Sequence, residues 1–311
     1  MRWLDHREAM PESLRGAVVA LGNFDGFHKG HQAVAGEAIR WAREAGRPSI
    51  VATFDPHPVR YFKPDVPPFR LTTLEQRQDL YLAAGATAML VFHFDGELAG
   101  TTAEDFITDI LIRRLGAHGV VTGGDFTFGQ GAKGNVAMLQ TLGGEHGLAS
   151  RVVEPVGDSD EIISSSRIRE ALRQGDPEEA ARLLTRPFAI RGIVEHGDKR
   201  GRTIGYPTAN LSIEGYLRPR YGIYAVTGRI MATGQVLKGA ANIGIRPQFE
   251  PPKELLEPYF FDFSGDLYGQ EIEVAFHHFL RPEAKFESLD ALTEQMDKDC
   301  AKARSLLDNQ D

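Results

Sequence analysis

The sequence predicts two domains: a doubly wound α/β domain with a parallel sheet, then a small antiparallel β-barrel with a C-terminal helix. Three observations lead there. Residues 17–155 alternate short apolar runs with helical patterns, the mark of βαβ units with right-handed crossovers. From Phe188 onward, short strands at glycine-marked turns replace that alternation, and no long helical pattern returns until Ser288. Finally, Val18–His31 reads as a strand, a glycine-bearing loop and a helix start, placed in the first βαβ unit. A chain of 311 residues accommodates two such domains.

In the first domain Val18–Leu21, Ser49–Phe54, Ala88–Phe92, Gly119–Thr122 and Arg151–Pro155 read as buried strands. The helical patterns between them are His31–Ala45, Thr73–Ala84, Thr102–Leu115 and Asn135–Gly144, each ending near a glycine. Ligands of this architecture sit beyond the carboxyl ends of the strands, and the unusual chemistry of the sequence lies there. After the first strand comes G-N-F-D-G-F-H-K-G-H. Gly22, Gly26 and Gly30 let the backbone approach an anion, Asn23 and Phe24 occupy the same loop, and His28 and His31 add donors at a helix N-terminus. Two histidines three residues apart also fit a helix cap or half of a metal site; no nearby cysteine or third ligand favours the metal.

After the second strand, Phe54, Pro56, His57 and Pro58 form a stiff loop: either a rigid surface turn or an apolar wall for a flat ring. Asp125, Phe126 and Phe128 follow the fourth strand and pose the same choice between closing the core and stacking on a ring. Gly129–Gly134 fits G-x-G-x-x-G but is separated from its strand by D-F-T-F and lies outside the first βαβ unit, so the sequence predicts a flexible loop rather than a dinucleotide site. Gly192–Lys199 misses the phosphate-binding P-loop pattern, in which Lys follows Gly directly. The run I-I-S-S-S-R-I-R at Ile162–Arg169 opens a helix. One serine is its N-cap, and Ser164, Ser165, Arg167 and Arg169 together make a second candidate anion site.

The first domain is expected to span residues 1–173, a linker with a short capped helix residues 174–187, and the barrel domain residues 188–311. Barrel strands are predicted at Phe188–Val194, Ile223–Ile230, Gln235–Ile243, Tyr259–Phe263 and Ile272–Leu280. The glycine- and base-rich run at Gly192–Leu211 includes Gly201 and Pro207 and ends in P-T-A-N. On an extended segment the Thr208 hydroxyl and the Asn210 amide oxygen face one side, which suits a hard cation such as Mg²⁺ between phosphates. Glu257, taken alone, reads as a solvated carboxylate just before an aromatic strand. Ser288–Leu307 is an amphipathic helix whose apolar face is Leu289, Leu292, Met296, Cys300, Ala303 and Leu307. The single cysteine, Cys300, excludes an internal disulfide and reads as packing.

The net charge of −8 disfavours a nucleic-acid partner, whose binding needs a basic face. No apolar run approaches the roughly 20 residues of a membrane span, and the first residues contain no apolar signal core, so a cytoplasmic protein without a membrane partner is expected.

These motifs carry a resemblance. N-F-D-G-F-H-K-G-H resembles the nucleotidyltransferase signature of prokaryotic bifunctional riboflavin kinase/FAD synthetases, in which the histidine pair contacts the phosphates of ATP. I-S-S-S-R-I-R resembles that family's I-S-S-T-R-I-R motif, with Ser166 in place of Thr. P-T-A-N resembles the riboflavin kinase signature, in which Thr and Asn hold Mg–ATP, and E-P-Y-F-F-D-F-S-G-D-L-Y-G resembles the strand bearing the catalytic Glu. P-R-Y-G-I-Y-A, A-N-I-G-I-R-P and F-L-R-P-E-A-K-F-E-S-L-D-A-L extend the match over nearly the whole chain. Gln248 stands where Thr is usual, and Pro258-Tyr259 where a His is common. The resemblance implies that riboflavin and ATP give FMN in the barrel, and that FMN and ATP give FAD and pyrophosphate in the first domain. It makes His28, His31, Arg167 and Glu257 catalytic, and assigns the Phe54–Pro58 and Asp125–Phe128 segments to FMN. Alternatives are an adenylyltransferase of another phosphorylated metabolite with a degenerate barrel, or a non-catalytic nucleotide- or RNA-binding protein.

Overall fold

A computed structural model describes residues 3–158, 161–196, 206–246 and 253–309. In chain order the first part runs β1 (Leu4–Asp5), β2 (Val18–Leu21), α1 (Lys29–Glu44), β3 (Ser49–Asp55), α2 (Pro58–Phe62), α3 (Leu74–Ala83) and β4 (Ala88–His93). It continues with α4 (Gly96–Gly100), α5 (Ala103–Asp105), a π-helix (Phe106–Arg114), β5 (Gly119–Gly123), α6 (Val136–Glu145), β6 (Ala149–Val153) and a small hairpin, β7 (Gly157–Asp158) with β8 (Glu161–Ile162). The main sheet is parallel throughout, in the order β1-β4-β3-β2-β5-β6.

Alternation along β2 shows why this sheet is covered on both faces. Val19 and Leu21 pack into one apolar layer with Phe92, Ile107 and Leu111, while Val18 and Ala20 pack into another with Ala35, Ala38 and Tyr81. No residue of β2 faces water, which is what a doubly wound sheet requires of its central strand. β2 pairs with β3 on one side and β5 on the other, so the chain order reverses there and the carboxyl end of β2 becomes the crevice of the fold.

The second part runs α7 (Ser165–Gln174), α8 (Pro177–Leu184), β9 (Phe188–Ile193), β10 (Leu211–Ser212), β11 (Gly222–Ile230), β12 (Val236–Arg246), β13 (Lys253–Phe260), β14 (Glu271–Arg281) and α9 (Leu289–Asp308). Its six strands pair antiparallel in the order β10-β13-β12-β11-β14-β9. An antiparallel bridge between Glu195 and Asn210 links the two outer strands and nearly closes the barrel. Phe188, Tyr224 and Phe276 fill it with ring contacts, and α9 lays Ala303 and Leu307 against Ala225, Ala240 and Phe261.

Several expectations are revised. The 103–114 helix is α only at its start and then winds as a π-helix, which allows Asp109 to meet Arg114 five residues on, at 3.1 Å. Gly129–Gly134 is a tight turn rather than a flexible loop: Phe128 and Gly134 form a bridge, and a Cβ on Gly134 would stand 2.6 Å from the Phe128 ring. The strand predicted at Tyr259–Phe263 lies earlier, at Lys253–Phe260, because Asp262 takes a left-handed φ of 56° and turns the chain away. On α9, Leu289 is 60% exposed and stays off the apolar face. By contacts the chain divides into Met1–Val66 with Leu74–Ser164, and Pro67–Thr73 with Ser165–Asp311. Within residues 174–187, α8 buries Ala180, Leu183 and Leu184.

Candidate active sites

The first site is built by the turn out of β2. Phe24 and Phe27 both hold left-handed backbone, φ 45° and 47°, and Gly26 between them holds φ 85°. Only glycine adopts that region without strain. The turn brings His28 to the N-cap of α1, where its Nδ1 accepts the His31 N–H at 3.4 Å. An accepting Nδ1 places the proton of the neutral ring on Nε2. The His28 and His31 rings stack at 3.6 Å and 21°, and the Phe24 ring meets His31 edge-on at 5.3 Å. His28 is buried. Asn23 Oδ1 is buried with no hydrogen-bond partner among the described residues, while the Asn23 carbonyl accepts the Thr53 hydroxyl at 2.6 Å. The histidines thus stand where the positive end of the α1 dipole attracts an anion.

Neighbouring strand ends contribute less uniformly. Phe54 is buried and stacks on Phe92 at 5.1 Å, so its ring is core; Pro56, His57 and Pro58 remain half-buried beyond it, with His57 capping α2. Sequence reading passed over the rings that follow. Tyr61, Phe62 and Phe94 meet edge-to-face at 5.2–5.7 Å, and Phe62 is 63% exposed. The signal was an unexplained aromatic pair, Tyr61-Phe62, that follows F-D-P-H-P after Val59 and Arg60. Past β5, Phe128 packs into the core on Phe106, Phe126 stacks on Phe128 at 5.7 Å, and Asp125 is exposed.

Of the serine and arginine set, Ser164 ends the first unit while Ser165, Arg167 and Arg169 belong to the second. Arg167 donates to Glu179 at 2.7 Å, and Arg169 donates to the Phe69 carbonyl at 2.9 Å with its guanidinium over the Phe69 ring. Hydrogen bonds from Arg182 and Arg167 hold the Glu179 carboxyl below the ordinary glutamate range against a smaller burial effect.

The second site is a cavity of about 460 Å³ between the barrel and α9, lined by Thr208, Asn242, Glu257, Glu283, Met296 and Cys300 among others. That volume suits a small organic ligand. Glu257 lies in the middle of β13, flanked by β12 and β10, with Asn242 opposite it in register. It is therefore no strand-edge carboxylate. The Ala209 N–H bonds the Pro258 carbonyl at 2.9 Å, which draws the P-T-A-N segment alongside β13 and brings Thr208 into the Glu257 cavity. Thr208 also lines a second cavity of about 70 Å³ with Pro207, Phe260, Asp266 and Tyr268. Asn210 is buried, its backbone engaged with Glu195. The structure unites Thr208 with Glu257; Gly201 and Gln248 lie outside the described residues.

Two polar clamps hold α9 over the larger cavity. Arg281 grips the Asp299 carboxylate with three N–H bonds of 2.7–3.1 Å. The Tyr206 hydroxyl donates to Asp297, while its ring meets Tyr259 at 5.0 Å. Burial and, next, this carboxylate raise the Tyr206 hydroxyl above the ordinary tyrosine range. Burial also pushes the Cys300 thiol up to about 11, so it stays protonated in the cavity wall and packs, as the sequence predicts.

Comparison with known proteins matches residues 10–167 to the FAD synthetase family and residues 184–307 to the riboflavin kinase family. A bifunctional riboflavin kinase/FMN adenylyltransferase of Escherichia coli is 38% identical over 93% of this chain and 92% of its own length. The chain belongs to this bifunctional family. Its Bacillus subtilis member is 40% identical over 92% of this chain and 91% of its own length. A solved structure described as a macrolide-efflux protein from Streptococcus pneumoniae superposes with a TM-score of 0.85 at 32% identity, covering 96% of this chain and 97% of that one. Among the described residues no helix is long and apolar enough to cross a membrane. The family makes this chain a transferase with two activities: riboflavin kinase in its C-terminal region and FMN adenylyltransferase in its N-terminal region.

Proposed function

We propose that the two activities use the sites described above with the following division of labour. In adenylyl transfer, an FMN phosphate oxygen attacks the α-phosphorus of ATP, the new P–O bond forms and pyrophosphate leaves. His28 and His31, stacked at the α1 N-terminus, donate to the phosphate oxygens on which charge builds; Gly22, Asn23 and Phe24 shape the cradle. Arg167, Arg169, Ser164 and Ser165 supply the remaining donors. Positioning and electrostatics supply most of such catalysis, and no covalent enzyme intermediate is required. The half-buried Pro56–Pro58 loop, the exposed Phe62 ring and, of the Asp125–Phe128 segment, the half-buried Phe126 ring offer apolar surface for the flavin ring.

In the kinase reaction, Glu257 accepts the proton of the ribityl 5′-hydroxyl as its oxygen attacks the γ-phosphorus and ADP departs. The observation that carries this reading is that Thr208 and Glu257 line one cavity while Thr208 also lines a second. A flavin in the larger space and a nucleotide reaching from the smaller would meet at Thr208. Thr208 and Asn210 are hard oxygen donors on one extended run. They leave most of an octahedral shell to phosphate oxygens and water, as Mg²⁺ prefers. Magnesium there would neutralise phosphate charge; alignment of the hydroxyl and removal of its proton belong to Glu257. The acidic chain works on small molecules in the cytoplasm without nucleic-acid or membrane partners, its functional division lying between residues 173 and 188.

The test is incubation with riboflavin and ATP, with and without Mg²⁺, followed by chromatography of the flavins. FMN should appear before FAD, and chelation should stop both. FAD from added FMN without FMN from riboflavin would refute the kinase reading.

A further inference from the structure

Helix α3 departs from the usual pattern, in that beside Tyr81 the face it buries carries two polar side chains. Gln76, Arg77 and Tyr81 are its buried residues. Arg77 Nη2 meets Asp25 Oδ1 at 3.2 Å, and both residues are 2% exposed. Arg77 Nη1 donates to the Thr53 hydroxyl at 3.1 Å, and that hydroxyl donates in turn to the Asn23 carbonyl at 2.6 Å. One helical turn on from Arg77, the Tyr81 hydroxyl reaches the Phe24 carbonyl at 3.5 Å, and its ring meets Phe27 at 5.0 Å and Phe24 at 6.2 Å.

A buried ion pair is a poor way to gain stability, because desolvation offsets the attraction and apolar residues of equal volume serve as well. These contacts have one target in common, the turn Asn23–Phe27. That turn contains two left-handed non-glycine residues, a conformation that persists only where its surroundings over-determine it. It also sets the His28 cap and lays Phe24 against His31.

We propose that Arg77 and Tyr81 form a positioning clamp for adenylyl transfer: through Asp25 and the Phe24 carbonyl, α3 holds the strained turn so that the histidine pair is ordered before substrates bind. Arg77 touches no reacting atom in this scheme. The proposal rests on the reading of His28 and His31 as the phosphate-facing pair.

The experiment uses the full chain, whose riboflavin kinase activity serves as an internal control. The double variant Arg77→Met with Asp25→Asn removes the clamp without leaving a lone buried charge; Arg77→Lys restores a cation without the fork; Tyr81→Phe removes only a hydroxyl. Measured below the first unfolding transition, the double variant should lose about 10–100-fold in kcat for FAD formation, the scale of a misplaced catalytic group. KM values for FMN and ATP should move less than about 3-fold and the kinase rate not at all, since the interactions lost belong to the transition state. Arg77→Lys should recover part of kcat. Full kcat in the folded double variant overturns the proposal, as does a parallel loss of both activities. If the double variant does not fold, unchanged kcat in both Arg77→Lys and Tyr81→Phe overturns it. His31→Ala, assayed alongside, separates the premises: retained FAD synthesis there refutes the histidine reading itself, whereas its loss beside an unaffected double variant refutes only the clamp.

Discussion

The two nucleotide-handling regions of this chain are built on opposite plans. The first is made of backbone: a turn with two strained residues, a helix N-terminus and two stacked histidines, locked from behind by buried polar contacts. The second is made of side chains: a cavity walled by the face of a barrel on one side and a single helix on the other. An anion is met by dipoles that must already point the right way, so its cradle is rigid before the ligand arrives. An isoalloxazine-sized ring, the proposed occupant of that cavity, needs apolar area and an entrance, and the wall over the cavity is held by a few separable bonds. The difference teaches where each activity is vulnerable: the first to changes in turn geometry, the second to changes in how α9 is held.

The largest effect expected is on Glu257, the proposed base of the kinase. Glu257→Gln keeps the shape of the carboxylate and removes its basicity. It should lower FMN formation by roughly 10²–10⁴-fold, the usual range for a general base, with little change in FAD made from added FMN. Steady-state rates of both reactions check it, and equal loss of both would assign Glu257 to folding. His31→Ala breaks the comparison from the other side. FAD formation should fall by about 10²–10³-fold, as for loss of one oxyanion donor, while riboflavin phosphorylation continues.

A fragment beginning at Ser165 sharpens the contrast further. It keeps the barrel and α9 but lacks Pro67–Thr73, whose Arg70 carbonyl accepts the Leu217 N–H at 2.8 Å and whose Arg70 bridges Tyr216. It should phosphorylate riboflavin without making FAD. Its thermal midpoint should lie below that of the kinase region in the full chain, because Leu217 loses that acceptor. An inactive fragment would make the barrel dependent on the first domain. The smallest effect concerns Tyr206→Phe, which removes the bond to Asp297 while the Arg281–Asp299 clamp remains. A net hydrogen bond of about 0.5–1.5 kcal/mol corresponds to a rise of about 2–10-fold in KM for riboflavin, with kcat for FAD formation unchanged. An unaltered KM would show that Tyr206 does not set the cavity wall.

How much of this was legible in the sequence follows from the same contrast. Dipole-built sites are written in contiguous strings, so G-N-F-D-G-F-H-K-G-H announced both the turn and the helix that follows. Four strands, β2 to β5, also declared themselves, because each is buried on both sides; the strand expected to be buried at Arg151–Pro155 lies instead at Ala149–Val153, on the sheet edge with no residue buried. What escaped was structure made at long range. Periodicity finds helices by their apolar stripe and assigned α3 correctly, but it cannot show that Arg77 and Gln76 face inward, because polar residues read as solvent-facing by default. Glu257 looked like a residue before a strand because Pro258 reads as a break. In the barrel that missing N–H is tolerated, and the Pro258 carbonyl is engaged by Ala209. The two-residue β1 is too short for any pattern to reveal.

Thr208 lines two compartments at once, so one β-branched residue belongs to the walls of both. On the proposed reading, enlarging that residue would take space from both substrates together, while trimming it to serine would return space and keep the oxygen. If the larger cavity takes the flavin and the smaller the nucleotide, as proposed, selectivity at the two ends of the kinase cannot be tuned independently at this position: an inhibitor that presses on Thr208 from the larger space also touches the wall of the smaller one, and its kinetics against ATP should carry that imprint.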